Sequence, residues 1–182
     1  MNRTTQQTVM KPLQHLFLEE LADIYDAEFR ITSTLQSMAR TANQVELSDV
    51  FQAHYRETED QLRKIEQVFD AFGAKATRSR CEATVGLVDG EKEMVSENIG
   101  SPTIDAALIS AGQKVEHYEI ASYGCLREWA RLLGNQPAAE LLDAILAEEK
   151  AADRRLTLLA LSCCNDSANQ KVAEVSGNMP DS

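Results

Sequence analysis

The placement of proline constrains this chain most. The prolines fall at positions 12, 102, 137 and 180, so nothing from Leu13 to Ser101 carries one. Helix interiors exclude proline, whereas the first turn accepts it. Ser101-Pro102 predicts an N-cap followed by the first helical residue, with Asp105 in the favourable first turn. Asn135-Gln136-Pro137 predicts a second start of the same kind. Gly73, Gly100 and Gly134 then stand where the preceding helices should stop. Composition agrees, because aromatics are only 5% and no stretch alternates with period two.

Four amphipathic segments emerge, over about 12–41, 46–72, 102–133 and 137–161. In each, apolar residues recur in steps of three and four, giving one buried stripe per helix. The first and second segments are joined by a few residues, as are the third and fourth, so each pair predicts an antiparallel hairpin. Between the hairpins lies a long crossover, 73–101, in which Val85, Val88 and Val95 suggest a short extra helix that Gly86 and Gly90 weaken. A tight pair, a long crossover and a second tight pair is the connectivity of ferritin-like four-helix bundles. Residues 1–11 and 162–182 read as flexible ends.

With 182 residues the chain suits a single domain. Its 29 acidic against 18 basic residues give a net charge of −11, which disfavours nucleic acid and anionic lipid as partners. No apolar run reaches the length of a membrane span, and the opening MNRTTQQTV lacks the character of a signal peptide. Cys81, Cys125, Cys163 and Cys164 form no CxxC pair and read as reduced thiols. A cytoplasmic protein is expected.

Each apolar stripe is interrupted near its middle by a carboxylate. The inward positions run Leu21, Ile24, Glu28, Ile31, Leu35 on the first segment and Val50, His54, Glu57, Gln61, Ile65 on the second. On the third they run Leu108, Val115, Glu119, Ser122, Leu126, with Glu116 about 60° from Glu119 around the helix. The fourth offers Leu142, Ile145, Glu149, Ala152, Leu156, with Asp153 one turn beyond Glu149. Glu28 and Glu57 are 29 residues apart and Glu119 and Glu149 are 30 apart, so both pairs sit at a common level and the two hairpins form a weak repeat.

An ionised carboxylate removed from water without a partner costs several kcal/mol, and four together also repel. Arginine, protonation or a pair of divalent cations could each neutralise them. Arg30, Arg56, Arg63, Arg127 and Arg155 fall mostly off the stripes. Two cations would balance four carboxylates, with His54 as a nitrogen ligand, and oxygen-rich sites with one imidazole suit iron or manganese. The expected metal set is Glu28, His54, Glu57, Glu116, Glu119, Glu149 and Asp153. Glu57 and Glu149 would bridge or chelate, Glu28 and Glu119 would hold one metal each, and Tyr25 and Tyr123 could bond the ligand carboxylates. His117 points away from Glu116 and reads as a supporting or surface group.

The segments LFLEELADIYDAE (16–28), HYRETEDQL (54–62), AGQKVEHYEIASYG (111–124) and LAEEKAADRRL (146–156) resemble the YciE/YciF-type ferritin-like bacterial stress protein family. The resemblance covers about residues 13 to 160. It implies a ferritin-like bundle with a dimetal carboxylate centre, a homodimer, and a part in stress responses. The ferritin-like pattern of Glu-x-x-His on the second and fourth helices is not kept. His54 precedes Glu57, and Glu149 is followed by Asp153 with no histidine. The expected function is therefore a di-iron protein reacting with dioxygen or peroxide, with manganese and catalase-like turnover as a rival at the same site. The alternative is a structural helical dimer, binding metal incidentally, in which Gly112 and Gly124 pack against a partner helix.

Overall fold

The computed structural model describes residues 12–169. Its elements are α1 (Pro12–Thr41), α2 (Val45–Ala71), α3 (Glu82–Glu97), α4 (Ile104–Leu132) and α5 (Gln136–Leu159), followed by a π-helical turn (Ala160–Cys164). No strand occurs among the described residues. The four long helices pack in the cyclic order α1–α2–α5–α4, and α3 lies over α1 and α4. The bundle core sits between the four stripes, with Leu21, Ile31, Phe51, Ile65, Leu108, Leu126, Leu142 and Leu156 buried.

The turns explain where the helices end. Gly73, Gly100 and Gly134 adopt φ of 65°, 76° and 79°, the left-handed conformation that only glycine takes without strain. Asn135 caps α5 by accepting from the Ala138 N–H at 3.3 Å, and its amide donates to the Ala71 carbonyl at the end of α2. At the other end, Asp105 of α4 accepts the Asn43 and Gln44 N–H groups from the α1–α2 loop at 2.7 and 3.1 Å. Each hairpin loop is thus tied to the opposite hairpin, which fixes the relative height of the helices.

Three boundaries differ from expectation. Helix α4 begins two residues after Pro102, because Ser101 Oγ accepts the Thr103 N–H and the Thr103 hydroxyl donates to Asn98, holding a turn before the helix. The crossover helix α3 spans 16 residues and is no short element. Its Thr84, Val88 and Glu91 are buried while Gly86 and Gly90 face solvent, so packing outweighs the glycine penalty. Beyond α5 the chain stays helical through residue 169, burying Cys164 and Ala168, so the part of the expected flexible tail over 162–169 is ordered helix instead. The rest of that tail, and the expected flexible start at 1–11, lie outside the described residues. None of the described helices is long and apolar enough to cross a membrane.

Gly112 works inside the chain. A Cβ there would stand 2.9 Å from Leu156 Cδ1 and 3.3 Å from Phe51 Cε1, so the missing side chain lets α4 approach α5 and α2. At Gly124 an added Cβ would meet nothing within 4 Å. Gly112→Val is expected to cost ~1–3 kcal/mol through overpacking. Gly124→Ala is expected to add ~0.5–1 kcal/mol through helix propensity alone. Calorimetric melting of the two variants reads both effects.

Candidate metal centre

Each helix brings one part of the centre to the same level. Glu28 lies on the α1 stripe between Ile24 and Ile31 and is wholly buried. The inward line of α2 runs Phe51, His54, Thr58, Gln61, Ile65, so the imidazole, a hydroxyl and an amide face the core. Helix α4 contributes two glutamates, Glu116 and Glu119, both buried, and α5 contributes Glu149 at 0% exposure. One ligand atom from each of His54, Glu116, Glu119 and Glu149 falls within a sphere where all lie within 4.8 Å of one another. Glu28 adjoins this cluster, and its charge is felt at both Glu119 and Glu149.

His54 is the hub. Its Nε2 lies 3.1 Å from Glu116 Oε1 and 3.7 Å from Glu149 Oε2, and its Nδ1 lies 3.5 Å from Glu57 Oε2. None of these contacts has the alignment of a hydrogen bond, so both ring nitrogens lack a directed partner. Burial works against the imidazolium more than any other single influence, yet Glu116, Glu57 and Glu149 together outweigh it and hold the ring well above its ordinary value.

The buried carboxyls are pushed up as well, toward their neutral form. Burial raises Glu28 to about 7, against the pull of the Tyr123 hydrogen bond and of His54. Glu119 is driven well above the carboxylate range by burial and then by Glu28, Glu149 and Glu116. Glu149 is driven up by burial, with His54 opposing and Glu28 and Glu116 adding to the shift. Two neutral groups orient the acids. The Tyr123 hydroxyl donates to Glu28 Oε1, and Gln61 Nε2 donates to Glu149 Oε1 at 2.5 Å. After these bonds, Oε2 of Glu28, Glu116, Glu119 and Glu149 is buried with no partner.

Two of the seven expected ligands stand apart from the cluster. Glu57 is about 100° around α2 from the inward Thr58, keeps a third of its side chain exposed, and accepts from Arg155 Nη2 at 2.6 Å. His54 and Arg155 hold its carboxyl below the usual range. Arg155 was expected to fall off the stripes; its reach to Glu57 makes arginine the neutralising partner at this one acid. Asp153 likewise sits beside the inward Ala152, where it meets Gln113 Nε2 at 3.1 Å and His117 Nε2 at 3.4 Å. His117 itself is exposed. Tyr25 donates to Glu66 at 2.6 Å and touches no acid of the centre. Gln61 stood on the expected stripe without a role, and its position seven residues after His54 was the available signal.

Among known proteins, the matching family model is a domain of unknown function, DUF892, aligned over residues 12–169. The chain is 42% identical to protein YciF of Escherichia coli (strain K12) over 163 residues, covering 89% of this chain and 98% of that one. The crystal structure of the E. coli stress protein YciF superposes with a TM-score of 0.77 at 43% identity, over 86% of this chain and 99% of that chain. YcfI from Rhodopseudomonas palustris gives 0.78 at 37% identity, over 83% and 96%. A dodecameric thioferritin, the bacterioferritin-related protein of Bacteroides fragilis, matches with a TM-score of 0.58 at 11% identity over 91% and 92%, a likeness of fold alone. The architecture is a ferritin-like helical bundle with a buried group of potential metal ligands. By family the chain belongs to DUF892, in the company of the YciF stress protein.

Proposed function

We propose that the centre binds transition-metal cations, two iron ions when full, and that the protein handles iron together with dioxygen or peroxide under stress. The observation that supports this reading is the set of four buried carboxylate oxygens without partners around an imidazole without a directed hydrogen bond. Buried polar atoms are ordinarily satisfied, and this many orphans in one place fit a cation better than an empty core. His54, Glu116, Glu119 and Glu149 form the first position. Glu28 and Glu119 supply the second, which has fewer donors. Manganese fits the same oxygen-rich set. The stress connection comes from the family's E. coli member.

Bound iron would supply one-electron exchange with the oxidant. The chain's own residues prepare the place for it. Glu57 faces Nδ1 of His54 and favours a proton there, so Nε2, which points to Glu116 and Glu149, is the nitrogen that would hold a cation once it gives up its own proton. Tyr123, whose hydroxyl is held far above its ordinary value by burial and Glu28, stays protonated and keeps Glu28 oriented. Gln61 does the same for Glu149 without adding charge.

The rival is a centre neutralised by protons, in which the acids simply stay protonated. Both readings agree on the cation-free protein. Acids whose folded values lie above their unfolded ones bind protons more tightly when folded, so their stabilisation is present at low pH and lost as pH rises. The cation-free fold therefore weakens between pH 5 and pH 8, through Glu28 up to about 7 and through His54 from its ordinary value of 6.5 upward. Glu57, shifted down, acts only below that window. Without cations the melting temperature should fall by roughly 5 °C or more across it. With ferrous or manganous ions the sign reverses, because cations displace the protons and bind best at pH 8. A melting curve that ignores added metal at pH 8 would leave protonation as the answer.

Elemental analysis of protein loaded with ferrous iron without oxygen should give up to two irons per chain. Glu149→Met should abolish uptake while leaving the cation-free fold as stable at pH 7.5, or stabler by ~1–4 kcal/mol. Glu57→Gln removes only an outer partner of His54 and should weaken cation binding ~10-fold. Equal loss of uptake in both variants would mean that Glu57 swings inward to ligate.

A further inference from the structure

Two cavities lie in series under the crossover helix. The outer one, about 260 Å³, opens between the exposed Ser33 and Ser37 of α1 and Lys92 and Ser96 of α3. The inner one, about 20 Å³, is walled by Ile31, Leu35, Val88 and Val115, and also by Gly112 and Glu116. Both share Thr34, Met38, Glu91 and Ala111 as a common neck. Glu116 is the carboxylate that faces His54, so the series runs from solvent to the wall of the centre.

We propose that this passage admits a small uncharged oxidant, dioxygen or hydrogen peroxide, to the centre, and that the inner cavity is where it waits. The inference rests on the iron reading given above. Size and polarity choose the occupant. The inner volume is about that of one water site, far too small for a hydrated cation. Its walls are apolar apart from Thr34 and Glu91 at the neck and Glu116 at the inner end, and moving an ion past the apolar stretch costs several kcal/mol. At the neck, Glu91 accepts from Lys114 Nζ at 2.8 Å, which offsets its charge, and Lys92 lines the outer cavity. A small neutral molecule meets none of these barriers. Cations must then reach the acids by another side of the bundle.

The neck residue Ala111 is buried at 2% exposure and is the place to close the route. Val88, buried on α3, is the place to widen it. In cation-free protein under oxygen pressure, the paramagnetic effect of dissolved dioxygen on methyl resonances should be several-fold larger at Ile31, Leu35, Val88 and Val115 than at the equally buried Leu142 and Ile145. Ala111→Leu should remove that difference. Equal effects on the two groups in the native protein overturn the passage, whatever the metal content.

In the second arm, native and variant proteins carry equal ferrous iron, and each iron passes one electron to added oxidant. Ala111→Leu should slow ferric formation at least tenfold, and Val88→Ala should speed it. Hydrogen peroxide and dioxygen are added separately, so slowing with one alone identifies which oxidant uses the route. An unchanged rate with both, at equal iron content, overturns it. If Ala111→Leu fails to fold, the Val88→Ala rate and the native oxygen effect decide. A native protein that takes up no iron defeats the reading of the centre, while the oxygen-pressure arm still judges the passage.

Discussion

Four glutamates buried at one level in an apolar bundle are the constraint on which the rest of the structure depends. Glu28, Glu116, Glu119 and Glu149 are each exposed by 2% or less. Left ionised and unpaired, they would oppose the folding that brings them together. The protein nevertheless builds a rigid frame that holds them in place. Asp105 ties the α1–α2 loop to the start of α4, and Asn135 ties the end of α2 to the start of α5. Because these ties sit at opposite ends of the bundle, the helices cannot slide to carry the acids apart. Aliphatic layers above and below, such as Leu108 and Leu126 on α4, keep water away from that level.

The acids divide into two kinds, and the division is physical. Glu57 and Asp153 lie at the edges of their stripes and have protein partners in Arg155, Gln113 and His117. The four central acids have none for their second oxygens. A bundle that wanted only neutrality could have extended the first solution inward, with an arginine for each carboxylate. Instead, the neutral donors Tyr123 and Gln61 take one oxygen each of Glu28 and Glu149 and leave the other bare. Such bonds set direction without cancelling charge, which is how supporting groups around ligands behave.

How much of this was legible in the sequence follows from what each signal measures. Proline and glycine report backbone conformation, and they located the hairpins and the crossover within a few residues. Periodicity locates a face to within about one residue, or 100° of rotation. That tolerance is enough to find Glu28, Glu119 and Glu149, which sit at the centre of their stripes. It fails at Glu57, where one step decides between core and rim and the inward residue is its neighbour Thr58; on α5 the inward line ran through Ala152 as observed, and Asp153 beside it lies at the rim. Whether a rim acid finds a partner depends on the facing helix, and the reach of Arg155 from α5 to α2 is not written in either helix alone. The crossover helix was underestimated for a related reason. Gly86 and Gly90 lower its local propensity, and only contact with α1 and α4 restores it.

The near-symmetry of the two hairpins breaks at the centre, and the break has a chemical sense. The inward pairs three residues apart are Thr58 and Gln61 on α2 and Glu149 and Ala152 on α5. One half therefore offers neutral hydrogen-bonding groups where the other offers an acid and a methyl. Adding carboxylates at Thr58 or Gln61 would raise the charge at this level beyond what two divalent cations can balance. With neutral groups there, the tally is four acids and one imidazole, three of the acids on the α4–α5 half and the imidazole on the α1–α2 half. The attraction between His54 and the facing Glu116 and Glu149 then draws the two hairpins together across the same surface the cations would occupy. A protonated imidazole and a bound cation become alternative ways of closing one gap, so binding need not await any rearrangement of the helices.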